Sequence, residues 1–252
     1  MRGLKDKRFI IGGGATGMGA ALALRLTEEG ARVLVGDINS AGLEALAATA
    51  EGAIRTEQFD LADDQSVERL VARAVAEFGG LDGIAITGAD LSRATMEQDR
   101  DVLHLSPEIW ERVLRVNLIG HALLMKAAIP HLKAAGGGSI VTVSSASAYS
   151  GGTILPAYGA SKAGLHALVR HIAHLTGPDW IRCNGIAPGL VQTEGAANVP
   201  EERRKTLLAA QALPRLGLAD DMASAMAFLL SDEASWITGQ VIAVNGGLMF
   251  RD

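Results

Sequence analysis

The sequence predicts one doubly wound α/β domain: a seven-stranded parallel sheet with helices on both faces. Three observations predict it. Short apolar, β-branched runs alternate with longer stretches of helical apolar spacing along the whole chain. The runs are continuously apolar rather than alternating, as suits strands covered by helices on both faces. No Pro/Ser-rich linker or repeat interrupts the 252 residues, so residues 1–252 are read as a single domain.

The elements follow in order. Arg8–Ile11 is the first strand and runs through a glycine turn into a helix over Gly17–Glu29. Strand Ala31–Gly36 precedes helix Ser40–Ala50, and strand Ala53–Phe59 precedes helix Asp64–Phe78, with Asp63 placed to cap it. Gly83–Thr87 is the fourth strand. Asp90–Leu105, polar and rich in charge, reads as a surface loop. Pro107–Ala135 is one long helix in which Pro130 lacks a donor, so a kink or early stop is expected there. Strand Ser139–Ser144, helix Tyr158–Thr176 and strand Ile181–Ala187 come next. Two shorter helices, Pro200–Ala212 and Asp220–Leu230, lead to the last strand, Gln240–Val244.

Composition narrows the function. With 48% hydrophobic and 20% charged residues the chain has the material for a large core, which rules out disorder. Aromatics are 4% while glycine reaches 30 residues, which favours tight turns over a base-stacking surface. A net charge of -5 without a basic stripe argues against nucleic acid or an anionic membrane as partner. The single Cys183 excludes an internal disulfide and fits a reducing compartment. No apolar run approaches the ~20 residues of a membrane span, and Met1 to Arg8 carry no signal-peptide pattern, so a cytoplasmic protein is expected.

Gly12-Gly13-Gly14-Ala15-Thr16-Gly17-Met18-Gly19 sits between a strand and a helix start, where backbone N–H groups and the positive helix end can receive a pyrophosphate. Two registers overlap: Gly12, Gly14 and Gly17 in one, Gly13, Gly17 and Gly19 in the other. Asp37 closes the second strand, where a carboxylate can accept both adenosine ribose hydroxyls and would repel a 2′-phosphate. No Lys or Arg occurs in Gly36–Asn39, and Arg32 lies at the strand's other end, so NAD is favoured over NADP. Asp60-Leu61, after the third strand, is placed to hold the adenine edge.

The chain has two tyrosines, both between Ser144 and Lys162. Tyr158 and Lys162 are i,i+4 neighbours on one helix face. A phenol of pKa near ~10 is a poor acid–base group at neutrality, and an ammonium one turn away is expected to lower it. The pair would then move an alcohol proton while hydride moves to a nicotinamide. Upstream, Gly138–Ser145 is a buried strand ending in hydroxyls, at the sheet edge that lines the ligand crevice of such folds.

These motifs resemble those of the short-chain dehydrogenase/reductases of about 250 residues, which have a Rossmann-like sheet, and especially the 3-oxoacyl-carrier-protein-reductase type. The resemblance covers essentially the whole chain. Its pieces are Gly13-x-x-x-Gly17-x-Gly19, Asp60-Leu61, Leu81-Asp82-Gly83, Val116-Asn117, Ser144-Ser145 and Tyr158-x-x-x-Lys162. Further matches are Ile181–Asn184, Pro188-Gly189 with Thr193, and Ile237–Gln240 through Val244–Gly247.

The resemblance implies that Tyr158 is the acid/base and that Lys162 binds the nicotinamide ribose while acidifying it. It selects Ser145, thirteen residues before the tyrosine, over Ser144 as the carbonyl partner. It makes Asn117 the holder of a proton-relay water. Pro188, Gly189, Val191 and Thr193 resemble the segment around the nicotinamide carboxamide. The implied cofactor contacts then comprise Gly13, Thr16, Gly17, Met18, Gly19, Asp37, Ile38, Asp60, Leu61 and Gly88, with Tyr158 and Lys162.

Two departures stand out. The family usually carries Thr where this chain has Gly12, and Asn-Asn-Ala-Gly where it has Ile86-Thr87-Gly88-Ala89. In the family those segments touch, so the changes are read as paired, and contacts of the first Asn do not transfer to Ile86. The Asp90–Leu105 stretch is also several residues longer than usual.

The substrate crevice is expected between Ala146–Pro156 and a covering segment at about 190–213, with Ile154, Leu155, Leu190, Val191 and Leu207 as apolar walls beside Ser145 and Tyr158. The expected substrate is a secondary alcohol or ketone on a mainly apolar, cyclic molecule. Arg203, Arg204 and Lys205 read as a solvated helix face. His166, His171 and His174 lack the alignment of a metal set, and Cys183 reads as a small buried hydrophobe. The alternatives are an NADPH-dependent reductase of 3-oxoacyl thioesters, against which Asp37 argues, and a catalytically silent nucleotide-binding scaffold. Family members often form tetramers through the long helices and the last strand, so a homotetramer is expected.

Overall fold

Each central strand feeds two cores at once, which is why its sequence is apolar without alternation. In β1 (Arg8–Gly12), Phe9 and Ile11 enter one apolar cluster and Ile10 enters another. In β2 (Arg32–Asp37), Val33 and Val35 share the first cluster and Leu34 the second. The computed structural model describes residues 1–197 and 199–250.

Helices α1 (Gly17–Glu28) and α9 (Ala219–Leu230) cover the first face, and α2 (Ser40–Thr49) adds Leu43 and Leu46 to that side. Helix α3 (Asp64–Phe78), capped by Asp63 at 3.0 Å to Gln65 N–H, covers the second face. With it on that face lie α6 (Gly120–Ala134) and α7 (Pro156–Thr176). The other strands are β3 (Ile54–Gln58), β4 (Gly83–Ile86), β5 (Gly138–Val143), β6 (Ile181–Pro188) and β9 (Val241–Val244). Among the described residues they form a seven-stranded sheet in the order β3-β2-β1-β4-β5-β6-β9, parallel throughout. The order reverses between β1 and β4, so the crevice opens at their carboxyl ends, beyond Gly12 and Ile86.

A second, two-stranded ribbon pairs β7 (Val191–Gln192) with β8 (Gly217–Leu218) and closes the base of the expected covering segment. That segment carries α8 (Glu201–Ala210), shorter than expected, and one of its residues, Asn198, lies outside the described residues.

Two expectations need correction. Pro130 neither ends nor shortens its helix, which runs on to Ala134. Pro130 and Lys126, whose carbonyl loses its partner, both face solvent, where water can serve that carbonyl. The irregularity lies instead at Arg115–Ile119, a π-helical turn between α5 (Pro107–Leu114) and α6 that holds Asn117. The Asp90–Leu105 stretch is not simply a surface loop. It contains the short helix α4 (Arg93–Met96) and buries Asp90, Thr95 and Asp99.

The stretch Pro107–Ala134 is also long and apolar enough to pass a length-and-composition test for a membrane span. Its Leu124, Met125, Ala128 and Leu132 are fully buried in the second core, so packing against the sheet accounts for part of that apolarity; Leu118, Ile119, Ala122 and Leu123 line a groove on the surface.

Candidate active site

The glycine turn is shaped by close approach. Gly13 has φ +86°, and a Cβ on it would overlap the backbone of Gly88. Its N–H and that of Gly14 donate to Gly36 O at 2.7 and 3.3 Å, tying the turn to β2. Thr16 precedes α1 with no side-chain cap, and α1 has no acidic residue in its first turn. The Thr16 hydroxyl and the amides of Gly17, Met18 and Gly19 therefore form a helix start suited to an anion.

The Asp37 carboxylate accepts Ala15 N–H and Asn39 N–H, both at 2.9 Å, and is thereby aimed across the turn. Ile38 beside it is 68% exposed, an apolar platform next to the carboxylate. Arg32 lies at the far end of β2 over the Phe78 ring, well removed from Asp37. Asp60 accepts Ala62 N–H at 2.8 Å, while Leu61 is buried and faces Gly88. A dinucleotide fits this set: a close-approach glycine, an uncapped helix start, an oriented carboxylate and an exposed apolar side chain.

The two departures meet in the sheet. Gly12 and Ile86 are register partners across β1 and β4. A Cβ on Gly12 would come 2.9 Å from Leu124 Cδ2 and 3.3 Å from Phe59, so apolar bulk fills the space beside it. Ile86 is buried in the same cluster as Leu124 and Phe59. The polar ties pass to neighbouring atoms: Thr87 and Gly88 N–H donate to Gly12 O at 2.8 and 3.0 Å, and Thr87 Oγ1 donates to Gly13 O at 2.5 Å.

His121 adds a tie that the sequence reading did not identify. Its Nε2 donates to Gly88 O at 2.9 Å, because a carbonyl only accepts, which leaves Nδ1 to accept from Thr142 Oγ1 at 2.7 Å. Burial, reinforced by the Lys162 charge, lowers the His121 pKa to about 3 and keeps the ring neutral. The missed signal was a polar residue one turn after Asn117, on the core-facing stripe that continues through Leu124 and Ala128.

At the end of β5 the adjacent serines divide. Ser144 Oγ donates to Lys162 O at 3.1 Å and lies 2.6 Å from His166 Nε2, whose ring packs on Tyr149. Ser145 turns the other way: its Oγ accepts Ser147 N–H at 3.1 Å, and its hydroxyl favours the ionised form of the Tyr158 phenol. Lys162 is 1% exposed; its Nζ donates to Val143 O at 2.9 Å and sits 5.7 Å from the centre of the Tyr158 ring. Burial lowers the Lys162 pKa to about 7.

The expected acidification of Tyr158 by Lys162 is not found. Burial pushes the phenol above its ordinary value, and Ser145, rather than Lys162, pulls it partly back. Lys162 does not dominate because it is itself desolvated and bonded to Val143 O.

Asn117 Oδ1 accepts Asp90 N–H at 2.8 Å. Its Nδ2 is buried without a hydrogen-bond partner among the described residues. The π turn aims this side chain at the β4 end rather than along a regular helix face.

The covering segment starts at the same edge. Pro188 ends β6, Gly189 packs against Asn245, Val191 is buried, and Thr193 abuts Gly17. Leu190 and Leu207 are half-buried, Ile154 is 45% exposed, and Leu155 stands in the left-handed region just before α7. Arg203 is exposed, Lys205 pairs with Glu202, and Arg204 bonds Val199 O. Cys183 is fully buried, its thiol pushed up to about 12 by desolvation. No group of three or more His, Cys, Asp or Glu side chains among the described residues is arranged to hold a metal ion.

Comparison with known proteins decides the family. A profile described as enoyl-(acyl carrier protein) reductase matches residues 13–249, nearly the whole chain. The chain is a short-chain dehydrogenase/reductase. A short-chain dehydrogenase/reductase structure from Mycobacterium ulcerans superimposes with a TM-score of 0.90 at 31% identity, covering 100% of this chain and 92% of that one. The cis-4-hydroxycyclohexanecarboxylate dehydrogenase of Sinomonas cyclohexanicum is 37% identical, over 96% of each chain. The 7alpha-hydroxysteroid dehydrogenase of Bacteroides fragilis is 35% identical, over 100% of this chain and 98% of the relative. Short-chain dehydrogenase/reductases use nicotinamide dinucleotides and act on small molecules, which makes this chain an oxidoreductase.

Proposed function

We propose that this protein moves hydride between NAD(H) and a secondary alcohol or ketone borne on a mainly apolar ring. The observation that carries the reading is Lys162 Nζ held by Val143 O beside the Tyr158 ring, with Ser145 at the carboxyl end of β5. Tyr158 donates its proton to a carbonyl oxygen in reduction and takes it from the alcohol in oxidation. Ser145 holds the same oxygen. Lys162 spends one N–H on Val143 O and keeps two for ribose hydroxyls. Asn117 Nδ2 is a buried donor available to a relay water. The bound nicotinamide supplies the hydride acceptor or donor. Gly13, Thr16, Gly17, Met18 and Gly19 would hold its pyrophosphate. Asp37 and Ile38 would hold the adenosine, with Asp60, Leu61 and Gly88 beside it, and Pro188, Gly189, Val191 and Thr193 would hold the carboxamide end.

NAD is favoured because Asp37 is fixed by two backbone amides in an orientation that would meet a 2′-phosphate with like charge. The ring-borne alcohol is supported by relatives named for a hydroxycyclohexane and a hydroxysteroid, with Ile154, Leu155, Leu190, Val191 and Leu207 as its proposed apolar walls. A homotetramer belongs to the same reading. Leu118, Ile119, Ala122, Leu123 and Leu168 line an apolar groove on the surface of the long helices, and Ile242 of β9 is 38% exposed.

The test is a panel of secondary alcohols with NAD and NADP, read by absorbance of the reduced cofactor. It includes cyclohexanol, cis-4-hydroxycyclohexanecarboxylate, a 7α-hydroxysteroid and a 3-hydroxyacyl thioester. Ring alcohols should turn over with NAD preferred by about 10-fold or more. Tyr158→Phe should lose at least about 100-fold in kcat while still binding NADH. Best turnover of the thioester with NADP, or full activity in Tyr158→Phe, would overturn the reading.

A further inference from the structure

The segment between β4 and α5 is pinned at both ends to the candidate site. At its start Asp90 N–H donates to Asn117 Oδ1 at 2.8 Å, and the Asp90 carboxylate accepts Thr95 Oγ1 at 2.9 Å and Arg112 Nε at 2.5 Å. Nine residues on, Asp99 reaches the other helix. Its Oδ1 accepts Ala157 N–H at 3.1 Å and its Oδ2 accepts the N–H of Tyr158 itself at 2.8 Å. Asp99 and Arg100 carbonyls take Leu155 N–H at 3.0 and 3.1 Å. Directly after Asp90, Leu91 lies over Gly195 of the covering segment, where an added Cβ would come 3.3 Å from its Cδ1.

A helix start leaves its first amides without intrahelical partners, and the capping side chain normally takes one of them. At α7 the capping position is Leu155, which has no side-chain acceptor and stands at φ 63°, and Pro156 has no N–H. The two amides left over are met by a carboxylate 58 and 59 residues away in sequence. Asp99 is 1% exposed, and no ion pair to it is found among the described residues. What faces its carboxylate is the positive end of a 21-residue helix and two backbone donors.

We propose that Asp99 is the positioning residue of Tyr158: the strap from Asp90 to Asp99 fixes the first turn of α7, and with it the reach of the phenol toward Ser145 and the crevice. Tyr158 carries its side chain on the very turn that Asp99 caps, so loosening the cap moves the ring. A displacement of about 1 Å at a reacting group costs on the order of 100-fold in rate. The inference rests on the proposed function for what Tyr158 does, and on geometry alone for where Asp99 holds it.

Two readouts test it, one free of substrate. Tyr149→Phe leaves Tyr158 as the single tyrosine, so phenolate absorbance titrates that side chain directly. In this background Asp99→Asn and, more strongly, Asp99→Ala should move the midpoint down toward an ordinary phenol, because the ring leaves its half-buried seat and a nearby negative charge is lost. Leu26→Ala, a core truncation at the far end of α1, should lower thermal stability without moving it. With native Tyr149 and the panel alcohol that wild type oxidises fastest, Asp99→Asn should lower kcat by about 10- to 100-fold and leave KM for NAD within about twofold.

An unmoved titration midpoint in both variants overturns the inference and leaves the proposed function standing. A moved midpoint in a protein that oxidises no panel alcohol supports the inference and sinks the proposed function. Loss of the native fold in both variants would overturn the inference too, since a strap that only seats the tyrosine is dispensable to the sheet.

Discussion

Tyr158 is pushed up by burial and drawn down by Ser145, and the balance between them is measurable. In nucleotide-free Tyr149→Phe protein the phenol should titrate above the ordinary value near ~10. Ser145→Ala should raise the midpoint further, because the lost bond favoured the phenolate. A midpoint below the ordinary value would show that Lys162 already acidifies the phenol without nucleotide. The same neighbourhood explains why both serines were needed to read the site. Ser144 and Ser145 are adjacent in sequence, yet one serves Lys162 O and His166 while the other serves the phenol. Strand alternation sends them to opposite sides.

At the scale of elements, the site is a junction of the β4 end, the β5 end and the π turn before α6. His121 joins all three regions through Gly88 O and Thr142 Oγ1. His121→Leu would strand the buried Thr142 hydroxyl, at about 1–3 kcal/mol, and leave the half-buried Gly88 carbonyl without its donor. Denaturant unfolding should show that loss, and NADH binding should weaken as Gly88 loosens against Gly13. His121→Gln, whose amide N–H2 can replace the Nε2 donor, should recover most of both. Equal behaviour of the Leu and Gln variants would mean that the bond to Gly88 has no role in holding the turn. The π turn itself was hidden from periodicity, because inserting one residue in a helix leaves the apolar stripe readable on both sides of it. The strap was hidden for a different reason. A polar, charged stretch has the composition of a loop, and its buried acids are revealed only by the helix they cap.

For the whole molecule, burial of Lys162 makes stability depend on pH. Its pKa is about 7 in the fold and near 10.5 in an unfolded chain. Between those values the unfolded chain holds a proton that the native state does not, so nucleotide-free protein should gain stability as pH rises from about 7 toward 10. Lys162→Met should flatten that slope, melt higher than wild type near neutrality and be inactive. A wild-type melting temperature flat across that window would contradict the lowered pKa of the buried lysine. Assembly is tested at the apolar groove: sedimentation should give a tetramer, and Ile119→Glu, placing a charge among Leu118, Ala122 and Leu123, should yield smaller species. A wild-type monomer, or an Ile119→Glu tetramer, would remove that surface from the reading.

The sequence by itself determined the parallel sheet, the positions of its strands, the glycine turn with Asp37, and the Tyr158–Lys162 face. Each depends on spacing within one strand, one turn or one helix, and such spacing survives in the linear pattern. The tertiary structure decided what Asp99, His121, Asn117 and the two serines bond to, and whether burial or charge governs the phenol. Those outcomes depend on partners tens of residues away and on how much water the fold excludes, neither of which a local pattern encodes.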